Sequence, residues 1–294
     1  MDVLYERCAG LDIHKRTITA CVITPNRGHA PHKEVRTFGT MTLEVLALAD
    51  WLAAQGVTHV AMESTGVYWQ PIWNLLEEGF HLVLANARHI KAVPGRKTDV
   101  LDCEWIADLL RHGLIRASFV PDRPQRELRE LTRYRTSLVR ERASEVNRLQ
   151  KTLEGANVKL ASVATNVLGA SARQMLEAMV AGNADTDTLA NLAQARLRAK
   201  LPQLEKALTG AVGPHQRFLL AQELAHIDYL DDAIQRVSVE IAERLRPFEQ
   251  TIARLDTIPG VGRQTAEVLV AEVGANVERF PTARHLASWA GMCP

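Results

Sequence analysis

Within residues 1–113, apolar runs and amphipathic stretches follow one another in an order that few architectures can hold. Residues 8–13 and 17–23 are short apolar runs with little between them, so they pair as a hairpin. The stretch Pro25-Asn26-Arg27-Gly28 turns the chain, and residues 34–38 add a third strand. Residues 43–54 then carry helical periodicity and stop before Gly56; residues 57–62 read as a strand with Glu63 at its end. Residues 68–78 are helical up to Gly79, and residues 80–85 form another buried strand. In the final stretch Leu101, Trp105, Ile106, Leu109 and Leu110 recur at helical spacing up to Gly113, with Thr98 as the expected N-cap. The resulting order, β-β-β-α-β-α-β-α, predicts an α/β domain whose mixed sheet is an antiparallel meander extended by parallel strands.

That is the element order of the ribonuclease-H-like fold, and four acids stand where such a fold gathers charge. Asp12 lies inside the first strand, Glu63 ends the fourth, and Asp99 and Asp102 open the last helix. A lone carboxylate in a strand interior is costly to bury, which makes Asp12 the least ordinary of the four. Each has a plainer reading. Asp12 could face solvent on an edge strand, Glu63 could cap the turn through Ser64-Thr65-Gly66, and Asp99 and Asp102 could complement a helix dipole. Together they make sense as a cation site. All-oxygen donors suit Mg²⁺ or Mn²⁺, and ions held there could polarise a phosphodiester.

Composition narrows the class without naming it. The 294 residues allow two domains or more, and 47% hydrophobic residues allow a sizeable core. The net charge is only +1, so any attraction to nucleic acid must be local. Cys8, Cys21, Cys103 and Cys293 form no CxxC pair, which argues against a disulfide framework or a zinc site and fits a reducing cytoplasm. The N-terminus lacks the pattern of a signal peptide, and no apolar run approaches a membrane span.

The motifs Gly-Leu-Asp-Ile-His-Lys, Met-Glu-Ser-Thr-Gly-Val-Tyr-Trp and Lys-Thr-Asp-Val-Leu-Asp, in this order, resemble those of the DEDD-type transposases. These are insertion-sequence recombinases related to the Piv DNA invertases, several of them guided by a bridge RNA. The resemblance covers almost the whole chain. It implies a first domain like the Holliday-junction resolvase RuvC, with the metal-binding, catalytic acids on Asp12, Glu63, Asp99 and Asp102. It also implies DNA partners (element ends and target), a guide RNA, and a homo-oligomer, dimeric or higher. The chain stops at Pro294, whereas the family continues past a similar Gly-x-x-Pro into a region holding a catalytic serine; no position here matches that serine, so the expectation is a C-terminally truncated product.

Beside the acids, residues 86–97 carry Arg88, Lys91, Arg96 and Lys97 around Pro94-Gly95, which reads either as a phosphate-facing loop or as an ordinary solvated one. Residues 125–153 contain no Gly or Pro and predict a long helix. Between residues 123 and 151 nine Arg/Lys stand against four Glu, and Arg133, Arg135, Arg140 and Arg142 are the expected nucleic-acid contacts. The competing reading is a solvated, salt-bridged face. Residues 156–213 predict several short helices. In residues 216–246, Leu220, Ile227, Ile234 and Ile241 repeat every seven residues, with Leu230 and Val237 between them. That stripe suits a coiled coil, closed either on the first long helix or on a second subunit. Finally, Ile258-Pro259-Gly260-Val261-Gly262 resembles a helix-hairpin-helix turn, in which Gly260, Gly262 and Arg263 would meet a DNA backbone.

The expected organisation is a RuvC-like catalytic domain over residues 1–122, a helical, coiled-coil region over 123–250, and the start of a transposase domain over 251–294. The expected function is DNA transposition by metal-assisted strand cleavage and exchange. Two alternatives stay open: a metal-dependent, resolvase-like nuclease, and an inactive nucleic-acid-binding remnant.

Overall fold

The computed structural model describes residues 2–26, 29–64, 66–87, 90, 101–278 and 280–292. The chain divides into two units, Met1–Arg123 and Pro124–Pro294.

In the first unit β1 (Cys8–Ile13), β2 (Thr17–Thr24) and β3 (His32–Gly39) form an antiparallel meander. Strand β4 (His59–Glu63) pairs parallel with β1, and β5 (His81–Ala85) parallel with β4. The five strands therefore run in the order β3-β2-β1-β4-β5, a mixed sheet compatible with a ribonuclease-H-like fold. Helices α1 (Thr42–Ala54) and α2 (Trp69–Leu76) connect strands, and α3 (Asp102–Arg111) follows the last. This is the arrangement expected from the apolar runs.

Because side chains alternate along a strand, the sheet has two buried faces. Ala9, Leu11 and Ile13 of β1, with Val60 and Met62 of β4, pack against Val45, Leu48 and Leu52 of α1 and Ile72 and Leu76 of α2. Cys8 of β1, Cys21 and Ile23 of β2 and Ala61 of β4 pack on the other face against Cys103, Ile106, Ala107 and Leu110 of α3. Gly10 sits on that second face, and it is what lets α3 come so close. A Cβ on Gly10 would stand 2.3 Å from the carbonyl oxygen of Cys103 and 2.4 Å from the backbone nitrogen of Ala107. Only a residue without a side chain fits there.

The second unit is helical. Its frame is two long helices, α4 (Arg123–Gly155) and α10 (Pro214–Leu245). Short helices α5 (Leu160–Val163), α6 (Ala170–Val180), α7 (Thr186–Ala190), α8 (Ala195–Arg198) and α9 (Leu201–Leu208) lie between them in sequence. A 3₁₀ turn (Arg246–Phe248) then leads to α11 (Glu249–Asp256), α12 (Arg263–Val273) and α13 (Ala283–Trp289).

The apolar stripe of α10 is covered within the chain. Leu220, Leu224 and Ile227 share a core with Leu149 and Leu153 of α4. Leu230 and Ala233 meet Leu138, and Ile241 and Leu245 meet Leu128. The contacts run backward along α4 as they run forward along α10, so the two helices are antiparallel. Polar ties follow the same order. Glu127 pairs with Arg244 at 3.0 Å, an Arg142 Nη2 donates to Asp231 at 2.9 Å, and the Thr152 hydroxyl donates to Glu223 at 2.8 Å. Among the described residues no helix is long and apolar enough to cross a membrane.

Candidate active site

Strand alternation carries on past Gly10 to Asp12, which therefore lies on the α3 side of the sheet. Residues Leu11 of β1 and Met62 of β4 are register partners, so Asp12 and Glu63 come next on adjacent parallel strands. Glu63 shares the face of Ala61, again toward α3. Asp102 is the first residue of α3, whose approach to β1 Gly10 permits. Three elements thus bring three carboxyl groups to one end of one sheet face.

The charge environment of Asp12 reports this convergence. Partial burial holds its carboxyl above the usual carboxylate range, His14 opposes that shift, and the negative charges of Asp102 and Glu63 add to it. His14 Nε2 lies 3.1 Å from Asp12 Oδ2. A carboxylate whose pKa is raised on folding binds its proton more tightly in the native state. Native stability is therefore highest below the ordinary value of 3.8 and is lost as pH rises through the elevated one. At neutral pH and without metal, Asp12→Asn is expected to raise the melting temperature of the first unit. Thermal unfolding in the presence of EDTA measures this, and a lower melting temperature in the variant would show that Asp12 is held by favourable contacts instead.

Among the described residues, no three His, Cys, Asp or Glu side chains are grouped closely enough to hold a metal ion. The fourth acid, Asp99, lies outside the described residues, as do Thr98 and the basic residues Arg88, Lys91, Arg96 and Lys97. The N-cap of α3 is Leu101, in extended conformation and without a side-chain cap, where Thr98 had been expected.

Several of the basic residues singled out in the second unit are engaged in ion pairs. Arg135 is buried, with Nη1 donating to Glu267 Oε2 at 2.7 Å, which removes it from any surface; its expected role as a backbone contact does not fit this packing. Arg133 donates two hydrogen bonds to Glu272, at 2.7 and 2.8 Å, and Arg142 donates two to Asp231. Arg140 is exposed and has no ion pair among the described residues. Ile258 to Gly262 does turn the chain between α11 and α12. Gly260 has φ +87°, a left-handed conformation that favours glycine, whereas Gly262 is the extended N-cap of α12. Arg263 donates to both oxygens of Glu249, at 2.7 and 2.9 Å, and to Glu267 at 3.2 Å.

Against known families, residues 9–158 match the model of the DEDD transposases of IS110 type, described as a transposase. Residues 252–294 match the model described as the transposase IS116/IS110/IS902 family. The chain belongs to the IS110 family of transposases. No curated protein matches it.

As a DNA transposase, the protein is an enzyme of DNA recombination. The first match spans the five-stranded sheet from the second residue of β1 onward, α3 and all of α4, so the three described acids lie inside it. The contact between His14 and Asp12 was not foreseen from the sequence. His14 stands two positions beyond Asp12, the spacing that returns a side chain to the same side of an extended chain. The signal was present in Asp-Ile-His, but a histidine just past a strand end is ordinary in isolation. The described cysteines, Cys8, Cys21 and Cys103, are buried core residues. Burial pushes the Cys8 and Cys21 thiols up to about 12 and Cys103 to about 11, away from the thiolate form.

Proposed function

We propose that the transposase acts on DNA through a divalent cation held by Asp12, Glu63, Asp99 and Asp102, with Mg²⁺ or Mn²⁺ as the ion. The observation that carries this reading is the electrostatic convergence of Asp102 and Glu63 on Asp12, three acids from three elements on one sheet face. Such a group is unfavourable bare and favourable around a cation, and its donors are all oxygen, as hard cations prefer. A cation bound there supplies charge stabilisation to a phosphodiester. The chain's own residues do the rest. The sheet and α3 fix the carboxylates, and His14 orients Asp12 through the contact at 3.1 Å.

The same reading divides the labour along the chain. Residues 1–122 are the catalytic domain, 123–250 the helical region for association of copies, and 251–294 a transposase segment. The glycine turn before α12 is read as a helix-hairpin-helix contact to a DNA backbone, which its open surroundings support: a Cβ on Gly260 or Gly262 would meet nothing within 4 Å. Guidance by RNA, oligomerisation through the long helices and action in the cytoplasm belong to this reading by family resemblance. So does a serine nucleophile.

A strand-exchange assay on paired donor and target duplexes tests it. The expected result is Mg²⁺-dependent exchange with a covalent protein–DNA adduct, both abolished by Asp12→Asn. Hydrolysed ends without an adduct would establish the resolvase-like nuclease instead. Exchange undiminished in Asp12→Asn would overturn the metal-site assignment.

A further inference from the structure

Arg133, Arg135, Arg142 and Arg263, marked out by sequence as nucleic-acid contacts, each face a carboxylate within the chain, which leaves open where else the second unit meets a polyanion. One short stretch elsewhere gathers several cations that are not spent internally. Residues 195–200, Ala-Arg-Leu-Arg-Ala-Lys, place three cations within six positions. Arg196, Arg198 and Lys200 are exposed and have no ion pair among the described residues. By contrast Arg133, Arg142, Arg148, Arg173, Arg244 and Arg263 of the same unit each face a carboxylate.

Arg196 and Lys200 also line an open cavity of about 550 Å³ between residues 163–172 and 194–200. No acidic side chain lines it. Three of the polar groups around it keep donors available. Ser171 Oγ accepts from the Gln194 backbone nitrogen at 2.9 Å, which leaves its hydroxyl proton to donate. Asn166 Oδ1 accepts from the Leu168 nitrogen at 3.0 Å, which leaves its amide N–H groups. Lys200 Nζ uses one donor on the Val163 carbonyl, at 3.2 Å, and keeps two. The wall at Ala195 is held at φ +49°, a conformation that non-glycine residues adopt rarely and that is often found at functional sites.

A cavity bounded by two cations and by unspent donors, with no carboxylate, selects for an anion. Apart from Thr165 and Gln194 its remaining side chains are apolar, from Ala, Val and Leu, which suits a sugar or base more than a bare inorganic ion. Arg198, just outside the cavity, continues the positive charge beyond it, as an extended polyanion requires. We infer that this cavity seats a phosphodiester of a bound nucleic-acid strand, with Arg196 and Lys200 on the phosphate and Ser171 and Asn166 donating to its oxygens. The inference rests on the reading of the chain as a nucleic-acid recombinase and assigns that reading a contact site in the helices between α4 and α10.

The test is fluorescence anisotropy of the full chain on two probes, a mixed-sequence DNA duplex and a single-stranded RNA of equal length, across a salt series. Arg196→Gln/Arg198→Gln/Lys200→Gln should weaken binding at least about tenfold and reduce the salt slope by about two to three on the probe that the site accepts. The probe that suffers the loss identifies the strand as DNA or RNA. The charge-preserving Arg196→Lys/Arg198→Lys/Lys200→Arg variant should retain the slope. An unchanged slope and affinity on both probes in the Gln variant overturns the inference while leaving the recombinase reading intact. Equal losses in the Gln and charge-preserving variants overturn it too, because the effect would then be structural. A wild-type chain that binds neither probe overturns both.

Discussion

Replacing Gly10 with alanine is expected to cost the first unit about 3 kcal/mol or more, because the added methyl meets backbone rather than a movable side chain. The Cys103 carbonyl oxygen and the Ala107 nitrogen would be 2.3 and 2.4 Å from the new Cβ. Both belong to α3, so relief requires the whole helix to lift from β1. That movement uncovers Ile106 and Leu110, both about 1–2% exposed, and carries Asp102 away from Asp12. Thermal unfolding followed by circular dichroism should show the first transition lowered by roughly 10 °C or more. A shift of under about 2 °C would mean that α3 does not lie on Gly10 as described.

The second large effect belongs to Arg135. Its guanidinium and the Glu267 carboxylate are 5% and 6% exposed, and each is the other's principal partner. Removing one member of a buried pair leaves an uncompensated charge, a loss of about 3–5 kcal/mol. Arg135→Met is therefore expected to destabilise the second unit by that amount. Glu267 would keep only the partly exposed Arg263, 3.2 Å away. The double variant Arg135→Met/Glu267→Leu should recover most of the loss, since no charge is then left buried. Urea unfolding of the single and double variants measures both. A single variant within about 0.5 kcal/mol of the parent would show that the pair is hydrated.

These two sites also show what could be read from the sequence and what could not. The strands were legible because β-branched runs bounded by glycine and by helical stretches have few alternatives: residues 8–13 form a strand with those same bounds. Asp12 stood out for a similarly local reason, the cost of a carboxylate within an apolar run. The role of Gly10 was not legible. A glycine in a strand says only that something comes close, and what comes close is a helix more than ninety residues later. The partners of the α4 arginines were hidden for the same reason. Their local surplus over glutamate is real, but Arg133 and Arg135 find their carboxylates on α12, far along the chain, and Arg142 finds its own on α10. The heptads of α10 gave the period of the apolar stripe but not its partner, and α4 is the helix that covers it.

The central claim is that the acids gathered on the α3 face of the sheet form one cation site. Isothermal titration of Mn²⁺ into the parent chain and into Asp12→Asn, Glu63→Gln and Asp102→Asn measures it directly. The account predicts saturable binding by the parent and at least about a tenfold weaker affinity in each variant, since each removes a charged oxygen ligand. Equal affinity in the parent and all three variants would contradict it.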